Sequence, residues 1–102
     1  MKRTAIAVDF DGVINDNKGI HNAPGEPIPG SILALLKLED EGYEVIIYSC
    51  RPADQISLWL GNFWPRGRKH PMIAVKKPTA VAYIDDRGIR FTNWTDILNH
   101  FI

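Results

Sequence analysis

Thr4-Ala5-Ile6-Ala7-Val8-Asp9-Phe10-Asp11-Gly12 is the stretch that decides how this chain folds. Thr4–Val8 carries no charge and stops abruptly at an acid. A short apolar run bounded in this way reads as a strand buried on both faces. The pattern returns twice. Tyr43–Tyr48 contains the β-branched run Val45-Ile46-Ile47 and ends at Ser49-Cys50-Arg51-Pro52. Ala80–Ile84 ends at Asp85-Asp86. Met72–Val75 is a weaker strand, and Ile89–Phe91 a short edge strand.

Helices separate these strands. Ile32, Leu35, Leu36 and Leu38 fall mostly on one face, with Pro29 in the first turn and Gly42 as the stop. Ile56, Trp59, Leu60 and Phe63 stand at i, i+3, i+4 and i+7 behind Asp54, a candidate cap. Trp94, Ile97, Leu98 and Phe101 repeat that spacing behind Asn93, with Asp96 at the third position. Strands alternating with helices predict an α/β fold: a three-layer sandwich around a mostly parallel, Rossmann-like sheet. Gly12–Pro29 has no period and is rich in Gly, Asn, Asp and Pro. It is too long for an ordinary connection and reads as a functional loop or small flap.

The 102 residues suit one domain, 1–102. Composition is that of a globular chain, 45% hydrophobic and 24% charged. Cys50 is the only cysteine, so no internal disulfide and no oxidising compartment is implied. No apolar run is long enough for a membrane span or a secretory leader, and a cytoplasmic location is the expectation. Twelve bases balance twelve acids, which argues against a protein that coats nucleic acid. The balance conceals an asymmetry. Residues 1–50 carry eight acids and four bases, whereas residues 51–90 carry eight bases and three acids.

In an open α/β sheet, ligands bind outside the carboxyl ends of the strands. That rule brings Asp9, Asp11, Ser49, Asp85 and Asp86 to one edge. A DxD pair alone, or a strand-end acid pair alone, is an ordinary surface feature. Their conjunction behind three buried strands points to a site. Alternation along an extended chain puts Asp9 and Asp11 on one side, and Gly12 permits a sharp turn behind them. Four close carboxylates repel one another unless a cation intervenes, and oxygen-only ligands suit Mg²⁺. No GK[ST] phosphate loop and no GxGxxG is present.

The run Ala5–Val13, Ser49, Lys77-Pro78 and Tyr83-Ile84-Asp85-Asp86-Arg87 come in that order over most of the chain. Together they resemble the haloacid dehalogenase (HAD) superfamily of phosphohydrolases, and most closely its very small bacterial and phage members. DFDG after an apolar strand is the most specific piece and Ser49 the least. The resemblance implies a HAD-type catalytic core, with Asp9 as the nucleophile that forms an aspartyl-phosphate. Asp11 would be the acid and base, Ser49 would hydrogen-bond a phosphoryl oxygen, and Lys77, or its neighbour Lys76, would neutralise charge. It implies Mg²⁺ held by Asp9, Asp85, Asp86 and the main-chain carbonyl of Asp11. Val13 stands where many members have Thr.

The chain leaves no room for a cap domain between these motifs, which implies an open site covered by a large substrate or a second copy of the chain. The substrate would be a phosphorylated small molecule or a nucleic-acid end, with no role for a membrane. Gly12, His21, Cys50, Arg51 and Lys76 are further candidates for contact with it; for Arg51 a salt bridge is the competing reading. Arg66, Arg68, Lys69 and His70 form a basic loop, read either as solvated or as a binder of an anionic substrate. Trp64 reads as packed against the sheet or as an exposed stacking surface. A receiver-like domain that stores phosphate on Asp9, or a HAD module that binds without turnover, are the alternatives. Receivers carry their acid pair first and their phosphorylated Asp mid-chain, without an acid two residues beyond it.

Overall fold

The computed structural model describes residues 4–75, 80, 82–85 and 88–102. Its strands are β1 (Ala5–Asp9), β2 (Glu44–Tyr48), β3 (Met72–Ala74), β4 (Ala82–Asp85) and β5 (Ile89–Arg90). Its α-helices are α1 (Ser31–Asp40), α2 (Ala53–Phe63) and α3 (Trp94–Phe101). The five strands form one sheet in the order β3-β2-β1-β4-β5. Every pairing is parallel. The fold is α/β with a Rossmann-like sheet.

Alternation along β1 separates two faces. Ile6 and Val8, with Val45, Ile47 and Ile84, join the buried residues of α1, α2 and α3 in one core cluster. Ala7 and Ile46 point the other way and are also buried. Both faces of the central strands are therefore covered, which is why their sequences read as unbroken apolar runs.

Local chemistry sets the element ends. Gly42 adopts a left-handed φ of 98° just beyond α1, as a helix-stopping glycine does. Pro29 does not enter α1. Ile28-Pro29-Gly30-Ser31 forms a turn closed by the Ser31 amide on the Ile28 carbonyl (2.9 Å), with Gly30 at φ 83°, ψ −5°. These are the angles of the second central residue of a type II turn, which takes Pro before Gly. Asp54 is not the cap of α2 either: Pro52 holds that position and Asp54 lies in the first turn, where the helix dipole favours an acid. Asn93 does cap α3, its Oδ1 accepting from the Asp96 amide at 2.9 Å. The Asn93 side-chain amide returns a bond to Asp96 Oδ2 at 3.0 Å. Trp64 is packed inside, and its indole N–H donates to the Lys69 carbonyl.

Candidate active site

The chain runs outward from β1 to β2 and β3, then returns to β4 on the opposite side of β1. The seam between β1 and β4 is thus the point where the sheet reverses direction, and a crevice opens beyond it in such sheets. Val8 pairs with Ile84 in register. The next residues, Asp9 and Asp85, therefore stand level at the sheet edge. They line a cleft of about 360 Å³ together with Asp11, Gly12, Val13, Arg90 and Phe91. Asp85 is buried; it accepts from the Gly88 amide at 2.6 Å and from the Tyr48 hydroxyl. Asp9 Oδ1 accepts from the Phe10 amide at 2.8 Å, which fixes its rotamer at the strand end. Gly12 follows at φ 78°, a left-handed turn that a side chain would strain.

Asp11 has a separate set of partners. Its Oδ1 accepts from the side-chain amide of Asn15 at 3.0 Å. Arg51 Nε reaches both Asp11 oxygens, at 2.8 and 2.9 Å. Ser49, buried beside the end of β1, accepts from the Arg51 amide at 3.1 Å, so its own O–H is left to donate. Cys50 is exposed.

Residues 12–30 form an ordered flap with a neck and a head. The neck is laced by the Asp16 amide to the Glu26 carbonyl and the Ile28 amide to the Ile14 carbonyl, both 2.8 Å. Fully buried Asn15 is its hub: its amide donates to the Phe10 carbonyl and to Asp11, and its Oδ1 accepts from the amides of Asn17 (2.8 Å) and Gly25 (3.1 Å). Gly25 passes so close that a Cβ there would lie 1.8 Å from Asp16 Oδ1. The head contains a single 3-10 turn, Ile20–Asn22, none of whose residues is buried. Asn17, His21 and Asn22 are the described non-glycine residues at positive φ. His21 lies exposed in this head.

The basic loop lies at the other end of the sheet. It follows α2 and precedes β3, and it lines a larger groove of about 760 Å³ with Glu39, Asp40 and the start of β2. Arg68 donates to Glu39 and Asp40, both at 3.0 Å. Loss of hydration works against its charge, but the hydrogen bonds and charges of those two acids outweigh this and raise its pKa. That groove is the roomier of the two, yet it holds none of the strand-end carboxylates.

No family model and no curated protein matches this chain. One solved structure does. It is a conserved protein encoded at a locus of Bacteroides thetaiotaomicron, with a TM-score of 0.76 and 27% identity. The match covers 98% of this chain and 90% of that one.

The structure thus brings Asp9, Asp11 and Asp85 to one cleft, with Ser49 and Arg51 behind Asp11. Lys76, Lys77 and Asp86 lie outside the described residues. Among the described residues no three His, Cys, Asp or Glu side chains cluster as a metal site. The oxygen-only donors of the cleft nevertheless match the chemistry of Mg²⁺, which takes one or two carboxylates and keeps waters. Asp11 commits its side chain to Arg51, so its main-chain carbonyl is the donor it has left for a cation. Nothing in the sequence points to Tyr48 or Phe91 as part of the site, whereas Arg90, a candidate contact for an anionic substrate, does line the cleft. The signal for Asn15 is its place four residues beyond Asp11 in a segment that reads as a functional loop or small flap.

Among the described residues no helix is long and apolar enough to cross a membrane.

Proposed function

We propose that this protein is a Mg²⁺-dependent HAD-type phosphohydrolase that cleaves phosphate monoesters through an aspartyl-phosphate on Asp9. The observation that carries the reading is the meeting of Asp9, Asp11 and Asp85 in one cleft at the sheet's reversal point. Like charges gathered in one cleft repel unless a cation offsets them; Arg51 pairs with Asp11, and a bound metal would offset Asp9 and Asp85.

The chemistry divides among the residues. An Asp9 oxygen attacks phosphorus, and the bond from phosphorus to the leaving oxygen breaks. Asp11, in the form protonated and turned away from Arg51, gives that oxygen a proton. Water then attacks the phosphorus, returns a proton to Asp11 and releases Asp9 with inorganic phosphate. Splitting one displacement into two eases each. Ser49 offers its O–H to a phosphoryl oxygen, and Lys77 supplies positive charge. Asp9, Asp85, Asp86 and the Asp11 carbonyl would hold Mg²⁺, which supplies charge neutralisation for the transferring group. The cleft suits a phosphorylated small molecule or a nucleic-acid end. The unpaired, exposed Cys50 is compatible with a reducing, cytoplasmic setting.

Phosphate release from a generic ester tests the proposal, with Mg²⁺ present and after its removal by chelation. Turnover should require the metal and fall by about 10³-fold or more in Asp9→Asn, the range seen when a nucleophile is removed. Turnover that survives in Asp9→Asn sinks the assignment. A receiver-like domain would take up phosphate without turning it over, and Asp11→Asn would then change nothing.

A further inference from the structure

Arg51 is the least explained residue near the cleft. It leaves the turn after β2, yet its guanidinium ends on three different parts of the molecule. Nε grips both oxygens of Asp11. Nη2 donates to Asn17 Oδ1 at 3.1 Å, and Nη1 donates to the Asn22 carbonyl. Nη1 also donates to Gln55 Oε1 at 3.1 Å, which ties the group to the first turns of α2. Its side chain is only 13% exposed, so its pair with Asp11 is partly shielded from water, while its bonds to Asn17 and Asn22 lie at exposed residues.

The flap head has little else to hold it. Its 3-10 turn buries nothing, and Ile20 at its tip is 77% exposed. The head-side anchors outside Arg51 are the Asn15 hub, Asp16 Oδ1, which accepts from the Lys18 and Glu26 amides, and a bond from the Trp59 indole to the Gly25 carbonyl at 2.7 Å. The two head residues bonded by Arg51, Asn17 and Asn22, sit at positive φ, a conformation that Asn adopts more readily than other non-glycine residues. A segment with few apolar contacts and polar anchors belongs to the low-stability end of a fold.

We infer that Arg51 is a positioning residue that latches the flap head to Asp11, so that the placement of the head and of the acid–base carboxylate are coupled. The guanidinium fork fits this use because it is rigid and presents five donors in fixed directions. Asp11 alone offers no contact to the head, and the head alone offers none to Asp11. Asn15 ties Asp11 to the Asn17 and Gly25 amides, and Arg51 adds a second tie from Asp11 to Asn17 and Asn22. The coupling rests on the phosphohydrolase reading for its purpose but not for its existence.

Hydrogen exchange on the intact protein tests it, read on the amides of residues 17–25 with β1 and β2 as internal references. Arg51→Gln removes the bonds to Asn17 and Asn22 and should speed exchange there roughly ten- to a hundredfold, the worth of two hydrogen bonds. Arg51→Lys keeps the charge but cannot span Asp11 and the head, and should exchange like Arg51→Gln. Asp11→Asn weakens the anchor from the other side and should also speed exchange in 17–25. Asn17→Gly keeps the left-handed backbone, removes one latch bond, and should lower kcat several-fold with KM unchanged. Equal exchange in wild type and Arg51→Gln overturns the latch. Unchanged exchange in Asp11→Asn overturns the coupling, as does faster exchange in Asn17→Gly with kcat intact. Should wild type fail to release phosphate, the phosphohydrolase reading falls while the exchange results still decide the latch.

Discussion

At the scale of single residues, Asn15 carries more than its letter suggests. It is an uncharged polar residue at 0% exposure with all its side-chain atoms engaged. Buried polar groups hold a structure together only when every partner is present. Asn15→Asp keeps the size and the acceptor for Asn17 and Gly25. It loses both amide donors and sets a second carboxylate where the amide now meets Asp11 at 3.0 Å. We expect a loss of about 2–4 kcal/mol in urea unfolding, since a broken buried bond and a new like-charge contact add. A loss below about 1 kcal/mol would mean the flap neck does not depend on this hub. Such a residue is hard to read from sequence because Asn in a Gly- and Pro-rich loop ordinarily marks a turn. Its role follows from partners as far away as Gly25. The Arg51–Asp11 pair spans 40 positions and left no periodic trace at all.

Elements were far more legible than these contacts. The apolar runs at Ile6–Val8 and Val45–Ile47 became the two central strands because burial on both faces demands continuous apolar sequence. The i, i+3, i+4, i+7 sets became the packed faces of α2 and α3. The starts of α1 and α2 depart from the sequence expectation for local reasons. Pro29 was better used by a type II turn, and Pro52 itself occupies the position before α2. The start of α3 matches its sequence signal because an Asn with an acid three residues on exchanges two hydrogen bonds with it. Asn93→Ala removes that exchange and should cost about 1 kcal/mol. In a domain of this length the thermal midpoint should then drop by roughly 4–8 °C. A shift under 1 °C would show the cap to be dispensable.

For the whole molecule, the charge asymmetry along the chain is not carried into space: Arg51 and Arg90 of the basic half meet the carboxyl-edge acids, and Glu39 and Asp40 of the acidic half meet Arg68. The acids at residues 9, 11 and 85 meet at the carboxyl edge of the sheet, and the basic loop sits at the amino edge. This separation was legible in principle. A helix that leaves the carboxyl edge after β2 must return the chain to the amino edge before a parallel β3 can begin. The loop between them can only lie far from the cleft. Arg68 is moreover already paired with Glu39 and Asp40. Replacing Arg66 and Lys69 together by Ser should therefore leave kcat and KM for a phosphate ester within about twofold, as Debye screening quenches charges at that range. A tenfold rise in KM would place the loop on the substrate after all.

The β1–β4 seam has a consequence for how the protein comes into being. Ala7 pairs with Ile46 on one side and with Tyr83 on the other. One neighbour is supplied early in synthesis and the other late, and closing the longer span carries the greater entropic cost. A nascent chain that has emerged only through β3 owns β1, the flap and Arg51, but not Asp85. The central strand then waits with one edge unpaired, a state prone to mispairing with other chains. Filling that edge with β4 is the same step that brings Asp85 beside Asp9, so the gap that most exposes the newborn protein to aggregation closes at the moment its cleft is completed.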